Sequence, residues 1–184
     1  MVRKQVSVVV KGLSGLLMNR YPLQTEADLK NMTPQQLCER ALYKDPVNGK
    51  IAIPSEMLQR ALVSGAAFSK GKGRASLQKQ VAACVFVTPA YMELPGQTAK
   101  SKQIWRIDTR SVVIPATKGR IPRHRPCFDE WSIEFELEWD NELLSEQQVR
   151  NVLDDTGSRV GICDFRPERK GPFGRFIVTS WKVK

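Results

Sequence analysis

At 184 residues with 41% hydrophobic content, the chain is long enough to bury one substantial core. Four cysteines (Cys38, Cys84, Cys127, Cys163) without a C-x-x-C pair, and a single histidine, His124, argue against a structural zinc site or a disulfide framework and fit reduced thiols. A formal net charge of +10 draws polyanions, so nucleic acid is the expected partner; no apolar run approaches the roughly 18 residues of a membrane span, and the N-terminus lacks a signal-peptide pattern, so a cytoplasmic protein without a membrane partner is expected.

In chain order, Val6-Ser7-Val8-Val9-Val10 is short and β-branched, which predicts a buried strand ending at Gly12. Residues 13–21 then read as a loop leaving the strand. Thr33 and Pro34 have the character of an N-cap and a first helical residue, leading into Leu37-Cys38-Glu39-Arg40-Ala41-Leu42. Ile51-Ala52-Ile53 is extended, and Ser55 is placed as the N-cap of a helix whose apolar positions Met57, Leu58, Ala61, Leu62 and Ala66 recur at helical spacing. A basic loop follows, with Lys70, Lys72 and Arg74. Residues 81–88 are strand-like.

Residues 90–126 are polar, basic and interrupted by prolines, with a strand-like stretch at 104–114, and read as a protruding insertion built on a β-hairpin. Ser132 to Trp139 alternates strictly: Ile133, Phe135, Leu137 and Trp139 fall on one face, Glu134, Glu136 and Glu138 on the other, which predicts a half-buried antiparallel strand. Ser145, with Gln148 three residues later, opens the last helix with a capping-box pattern, and residues 176–183 read as the last strand. Charge is segregated along this order. Basic residues gather at 70–79 and 100–125, acidic ones at 134–146, so the molecule is expected to carry a basic and an acidic face.

Between the last helix and the last strand lies Gly161-Ile162-Cys163-Asp164-Phe165-Arg166-Pro167-Glu168-Arg169-Lys170-Gly171-Pro172-Phe173-Gly174-Arg175-Phe176. It combines glycines that permit close backbone approach, cations that meet phosphates and aromatics on which bases stack. A plain glycine turn with solvated charges has much the same composition. The element order is β-α-β-β-α-β, an α+β, ferredoxin-like or RRM-like antiparallel sheet with helices on one face, here a single domain over 1–184 with a basic, thumb-like insertion at about 90–126.

Two motifs carry a resemblance. Ile53-Pro54-Ser55-Glu56-Met57-Leu58-Gln59-Arg60-Ala61-Leu62 resembles the opening of the first helix in the RAMP superfamily, the RNA-binding subunits of CRISPR effector complexes, and residues 161–176 are similar to their C-terminal glycine-rich loop. The backbone subunits of that superfamily line up along a guide RNA. Gln59, Arg60 and Val63, and Pro172 before Phe173-Gly174, depart from the usual pattern and point to a solitary, phage-borne relative rather than an effector subunit. The resemblance implies a protein that binds single-stranded nucleic acid, RNA slightly favoured over DNA, and that assembles head to tail along the strand. No second acid marks a metal site with Asp28, which points to a non-catalytic role, and the opposed basic and acidic segments point to a homo-oligomer that forms a filament if its contacts do not close.

Residues expected at the nucleic acid are Arg20, Lys70, Lys72, Arg74, Arg120, Arg123, Arg125, Arg166, Arg169, Lys170 and Arg175 as phosphate contacts, with Phe173, and alternatively Tyr21 or Phe165, between bases. No cofactor is expected, because Gly71-x-Gly73 is too little to specify a nucleotide. Two other classes remain open: a protein-binding inhibitor or mimic of a CRISPR complex, and a ribonuclease using Asp28 or His124.

Overall fold

A computed structural model describes residues 3–21, 26–71, 75–95, 104–113 and 116–184. In chain order the elements are β1 (Arg3–Gly12), β2 (Leu16–Leu17), α1 (Glu26–Lys30), α2 (Pro34–Ala41), β3 (Ala52–Pro54), α3 (Ser55–Gly65), α4 (Gln78–Cys84), β4 (Val85–Thr88), β5 (Tyr91–Glu93), β6 (Arg106–Val113), β7 (Arg120–Phe128), β8 (Ser132–Asp140), α5 (Glu146–Asp155) and β9 (Phe176–Val183). A π-helical turn, Thr156–Val160, prolongs α5, and a 3-10 turn, Pro167–Arg169, lies inside the glycine-rich loop.

The main sheet has the order β4-β8-β1-β9 and is antiparallel throughout. That is the ferredoxin-like arrangement, in which the first and third core strands lie side by side and helices cross over one face. The registers explain the packing. Val8 stands opposite Phe135 on one side and Trp181 on the other, and Val10 opposite Ile133 and Val178, so one face collects the apolar residues of three strands. Val6, Val8, Val10, Ile133, Phe135, Leu137 and Trp139 are all essentially inaccessible there, beneath Leu58 and Leu62 of α3 and Val149, Val152 and Leu153 of α5. Burying each such side chain contributes about 1.5–3 kcal/mol, enough that a one-residue slip of β8 would be prohibitive.

The helix ends follow from their caps. Thr33 and Ser145 both close capping boxes, with Gln36 and Gln148. Ser55 does not cap: it is the first residue of α3, Pro54 holds the cap position, and no side chain bonds the first turn. The Ser55 amide instead donates to the Ala90 carbonyl at 2.8 Å, tying the helix start to the β3-β5 pair. A second departure concerns residues 78–84, which form a helix rather than the start of a strand, so that the strand is confined to Val85–Thr88.

The region 90–126 divides. Tyr91–Glu93 pairs with β3, and Met92 is fully buried in the core. β6 and β7 pair as an antiparallel ribbon from Arg106 opposite Cys127 to Val113 opposite Arg120, and Leu16–Leu17 adds a short third strand at its base. The ribbon is exposed toward Arg120 and buried from Arg125 to Phe128, and α2 packs against its β7 side. Among the described residues, no helix is long and apolar enough to cross a membrane.

Candidate nucleic-acid interface

The glycine-rich loop is a folded object. Its backbone is stitched to residues 13–17: Asp164 N–H donates to the Leu17 carbonyl (2.9 Å), Gly174 N–H to the Gly15 carbonyl (2.9 Å), and Leu13 N–H to the Arg175 carbonyl (2.8 Å). Internally, Ile162 N–H donates to the Gly174 carbonyl and Phe173 N–H to the Phe165 carbonyl. Close approach explains the glycines. A Cβ on Gly174, whose φ is +71°, would stand 2.0 Å from the Ile162 carbonyl oxygen, and one on Gly171 would stand 1.8 Å from that of Phe165. Cys163 and Phe165 also have positive φ, at 62° and 48°, a conformation that persists in non-glycine residues only when surrounding contacts over-determine it.

Two contacts latch this loop to the base of the hairpin. Arg125, on β7 and 5% exposed, places Nη1 2.6 Å from Asp164 Oδ2. Arg110, on β6, stacks its guanidinium 4.8 Å from the Phe173 ring centroid, and Phe165 lies beside that ring at 6.1 Å. Leu17, Cys127 and Phe173 form a small apolar cluster between them. Loop, β2 and hairpin base thus make a continuous wall.

Three of the residues expected at the nucleic acid have structural partners within the chain. Phe173 is buried between Arg110 and Phe165, so its ring offers no open face to a base. Arg125 is committed to Asp164 and lies below the surface. Arg166 is held by Glu168 and donates from Nη1 to the Cys163 carbonyl at 3.0 Å, so it shapes the loop from within. Arg106 and Arg110 likewise pair with Asp129 and Asp108; the Arg106 hydrogen bonds hold the Asp129 carboxyl below its ordinary range.

The remaining cations are different. Lys118, Arg120, Arg169, Lys170 and Arg175 are exposed, and none is in a salt bridge among the described residues. Arg20 and Arg123 are half-buried and also without an ion pair there. Sequence reasoning missed Arg40, which joins them from α2; on an amphipathic helix it reads as an ordinary solvated charge, and only the approach of β7 gives it a role. Arg40 and Arg123 line a cleft of about 600 Å³ between residues 19–21, α1, α2 and β7, with Tyr21 82% exposed at its rim. His124 lines the same cleft, its Nδ1 2.8 Å from Thr109 Oγ1.

Lys70 sits elsewhere, in a smaller depression with Asp154 and Asp155 of α5. Lys72 and Arg74 lie outside the described residues. The sheet face turned away from the helices is acidic along β8, where Glu138 pairs with Arg3, Glu136 with Lys184, and Glu134 accepts from Ser7 Oγ at 3.4 Å. On the same face β1 and β9 contribute Arg3, Lys11 and Lys182, so positive and negative charge are interleaved there. Among the described residues, no group of three or more His, Cys, Asp or Glu side chains is placed to hold a metal.

No protein-family model and no curated protein matches the sequence. Solved structures do match. The type III-B Cmr-beta complex bound to cognate target RNA contains a chain that is 12% identical, with a TM-score of 0.59 over 98% of this chain and 60% of that one. Cmr6 from Pyrococcus furiosus is 9% identical, with a TM-score of 0.50 over 96% of this chain and 99% of that one. This chain therefore spans about three fifths of the first chain's length, and at these identities the likeness speaks for architecture. The chain shares the overall fold of these two chains, in keeping with the resemblance carried by its two sequence motifs.

Proposed function

We propose that the protein binds single-stranded nucleic acid along the side formed by the β6-β7 hairpin and the glycine-rich loop, and does not cut it. The observation that carries this reading is the division of labour among the arginines. Arg106, Arg110, Arg125 and Arg166 are spent on carboxylates that fix the wall, whereas Lys118, Arg120, Arg123, Arg169, Lys170 and Arg175 are left without ion pairs among the described residues. Unpaired cations on a rigid surface suit a phosphate chain, since they meet it without first breaking an internal pair.

RNA is favoured over DNA because the similar Cmr-beta structure is of a complex bound to RNA. Head-to-tail assembly would bring the basic ribbon of one copy to the acidic β8 face of the next; internal pairing of Glu136 and Glu138 reduces that attraction but leaves Glu134. A gel shift with labelled oligo-U and oligo-dT, with and without magnesium, tests the reading. A shift that weakens with salt and leaves the strand intact is expected. No shift favours a protein-binding role, and magnesium-dependent cleavage would make the chain a nuclease. Light scattering behind size exclusion, run on the same mixtures, reports assembly.

A further inference from the structure

The cleft between Tyr21, α2 and β7 gathers arginines that, unlike Arg125 of the wall, have no carboxylate partner among the described residues. Arg40 Nη1 donates to the Arg20 carbonyl at 3.4 Å, and the Nε groups of Arg20 and Arg40 are both buried without a hydrogen-bond partner among the described residues. Arg123 approaches closely enough that burial, Arg123 and Arg20 together push the Arg40 guanidinium below its ordinary value. None of the three takes part in a salt bridge among the described residues. Three cations held together, partly desolvated and short of acceptors, are an unfavourable arrangement unless an anion with several oxygens joins them. Beside them the wall is apolar, with Leu37 and Pro122, and Tyr21 stands open at the rim.

We propose that this cleft is a nucleotide subsite, which takes one phosphate of a bound single strand at Arg40 and Arg123 and the attached base against Tyr21. It rests on the strand-binding reading above and adds a specific position to it. A phosphate oxygen satisfies guanidinium donors at two angles, and a base has the flat apolar faces that Tyr21, Leu37 and Pro122 can cover. A carboxylate from an acidic peptide would meet the arginines but leave the tyrosine and the apolar wall without a use. The cleft is a local pocket of about 600 Å³ between α2 and β7, so it registers the strand rather than tracking its whole length.

The test uses the full chain and a 5′-labelled twelve-nucleotide single-stranded RNA, read by fluorescence anisotropy over a range of salt. Tyr21→Ala should weaken binding by about tenfold with an unchanged salt slope, because stacking releases no counterions. Arg40→Ala with Arg123→Ala should weaken it at least as much and flatten the log–log slope by about 0.7 for each phosphate left without its cation. Arg123→Ala alone, on an unpaired side chain of β7, keeps the test valid if the double variant melts early by circular dichroism. Wild-type binding with all three variants unchanged in affinity and slope would overturn the subsite while leaving the strand-binding reading intact. Failure of the wild type to bind would remove both. Tighter binding to poly-glutamate than to RNA, abolished by the arginine variants, would overturn the assignment in favour of an acidic protein partner.

Discussion

Arg125 shows how one residue divides structure from recognition. Its guanidinium lies under Phe165 and reaches Asp164, so a cation that reads in sequence as part of a basic arm is the bolt between β7 and the glycine-rich loop. Arg125→Ala should lower stability by about 1.5–3 kcal/mol, the range for a hydrogen bond to a charged group left unmade, and urea unfolding would show it as a reduced midpoint at constant slope. Arg120→Glu, on the exposed end of the same strand, should move stability by less than about 0.5 kcal/mol. The buried thiols make a second residue-scale prediction. Burial pushes Cys163 up to about 12 and Cys38 and Cys127 up to about 11, and Tyr43 is likewise raised to about 12. Groups whose pKa is raised by folding contribute stability that is fully present below their unfolded values and lost as pH rises through the folded ones. Thermal midpoints should therefore be flat from about pH 6 to pH 8 and fall from there to pH 11, and native thiols should resist alkylation at pH 8 until the chain unfolds.

At the scale of elements, the sequence was legible where a single local signal decided the outcome. The alternation of Ile133, Phe135, Leu137 and Trp139 defined β8, and the Thr33 and Ser145 caps defined the starts of α2 and α5. Ser145→Ala should cost about 1 kcal/mol, visible as a lower thermal midpoint. α4 was not legible, because Gln78–Cys84 has no side-chain cap, only Val81 and Cys84 buried, and runs straight into β4. The glycine-rich loop was recognised by composition, yet its geometry was not. Phe173 loses its open face to Arg110, a residue from a distant strand, and no local pattern announces that stacking. Gly174→Ala must move the Ile162 carbonyl as well as bear a positive φ, so it should destabilise by at least about 1–2 kcal/mol and release the loop, which amide exchange at Ile162 would detect.

Across the whole molecule, the decisive property is where the excess of positive charge goes. The glutamates of β8 are partly neutralised by Arg3 and Lys184, four arginines of the wall are paired with carboxylates, and Lys118, Arg120, Arg169, Lys170 and Arg175 stay exposed and unpaired among the described residues on the hairpin and the glycine-rich loop. The net charge was readable from composition; its distribution was not, because pairing partners such as Arg125 and Asp164 are brought together only by the fold. The most direct test is the salt dependence of RNA binding by the wild type and by Arg120→Glu, Arg169→Glu, Lys170→Glu. If the unpaired cations hold the strand, log affinity falls linearly with log salt, and the variant binds at least about 100-fold more weakly with a shallower slope while melting at the wild-type temperature. A variant that binds as the wild type does, with the same slope, would contradict the assignment of this surface.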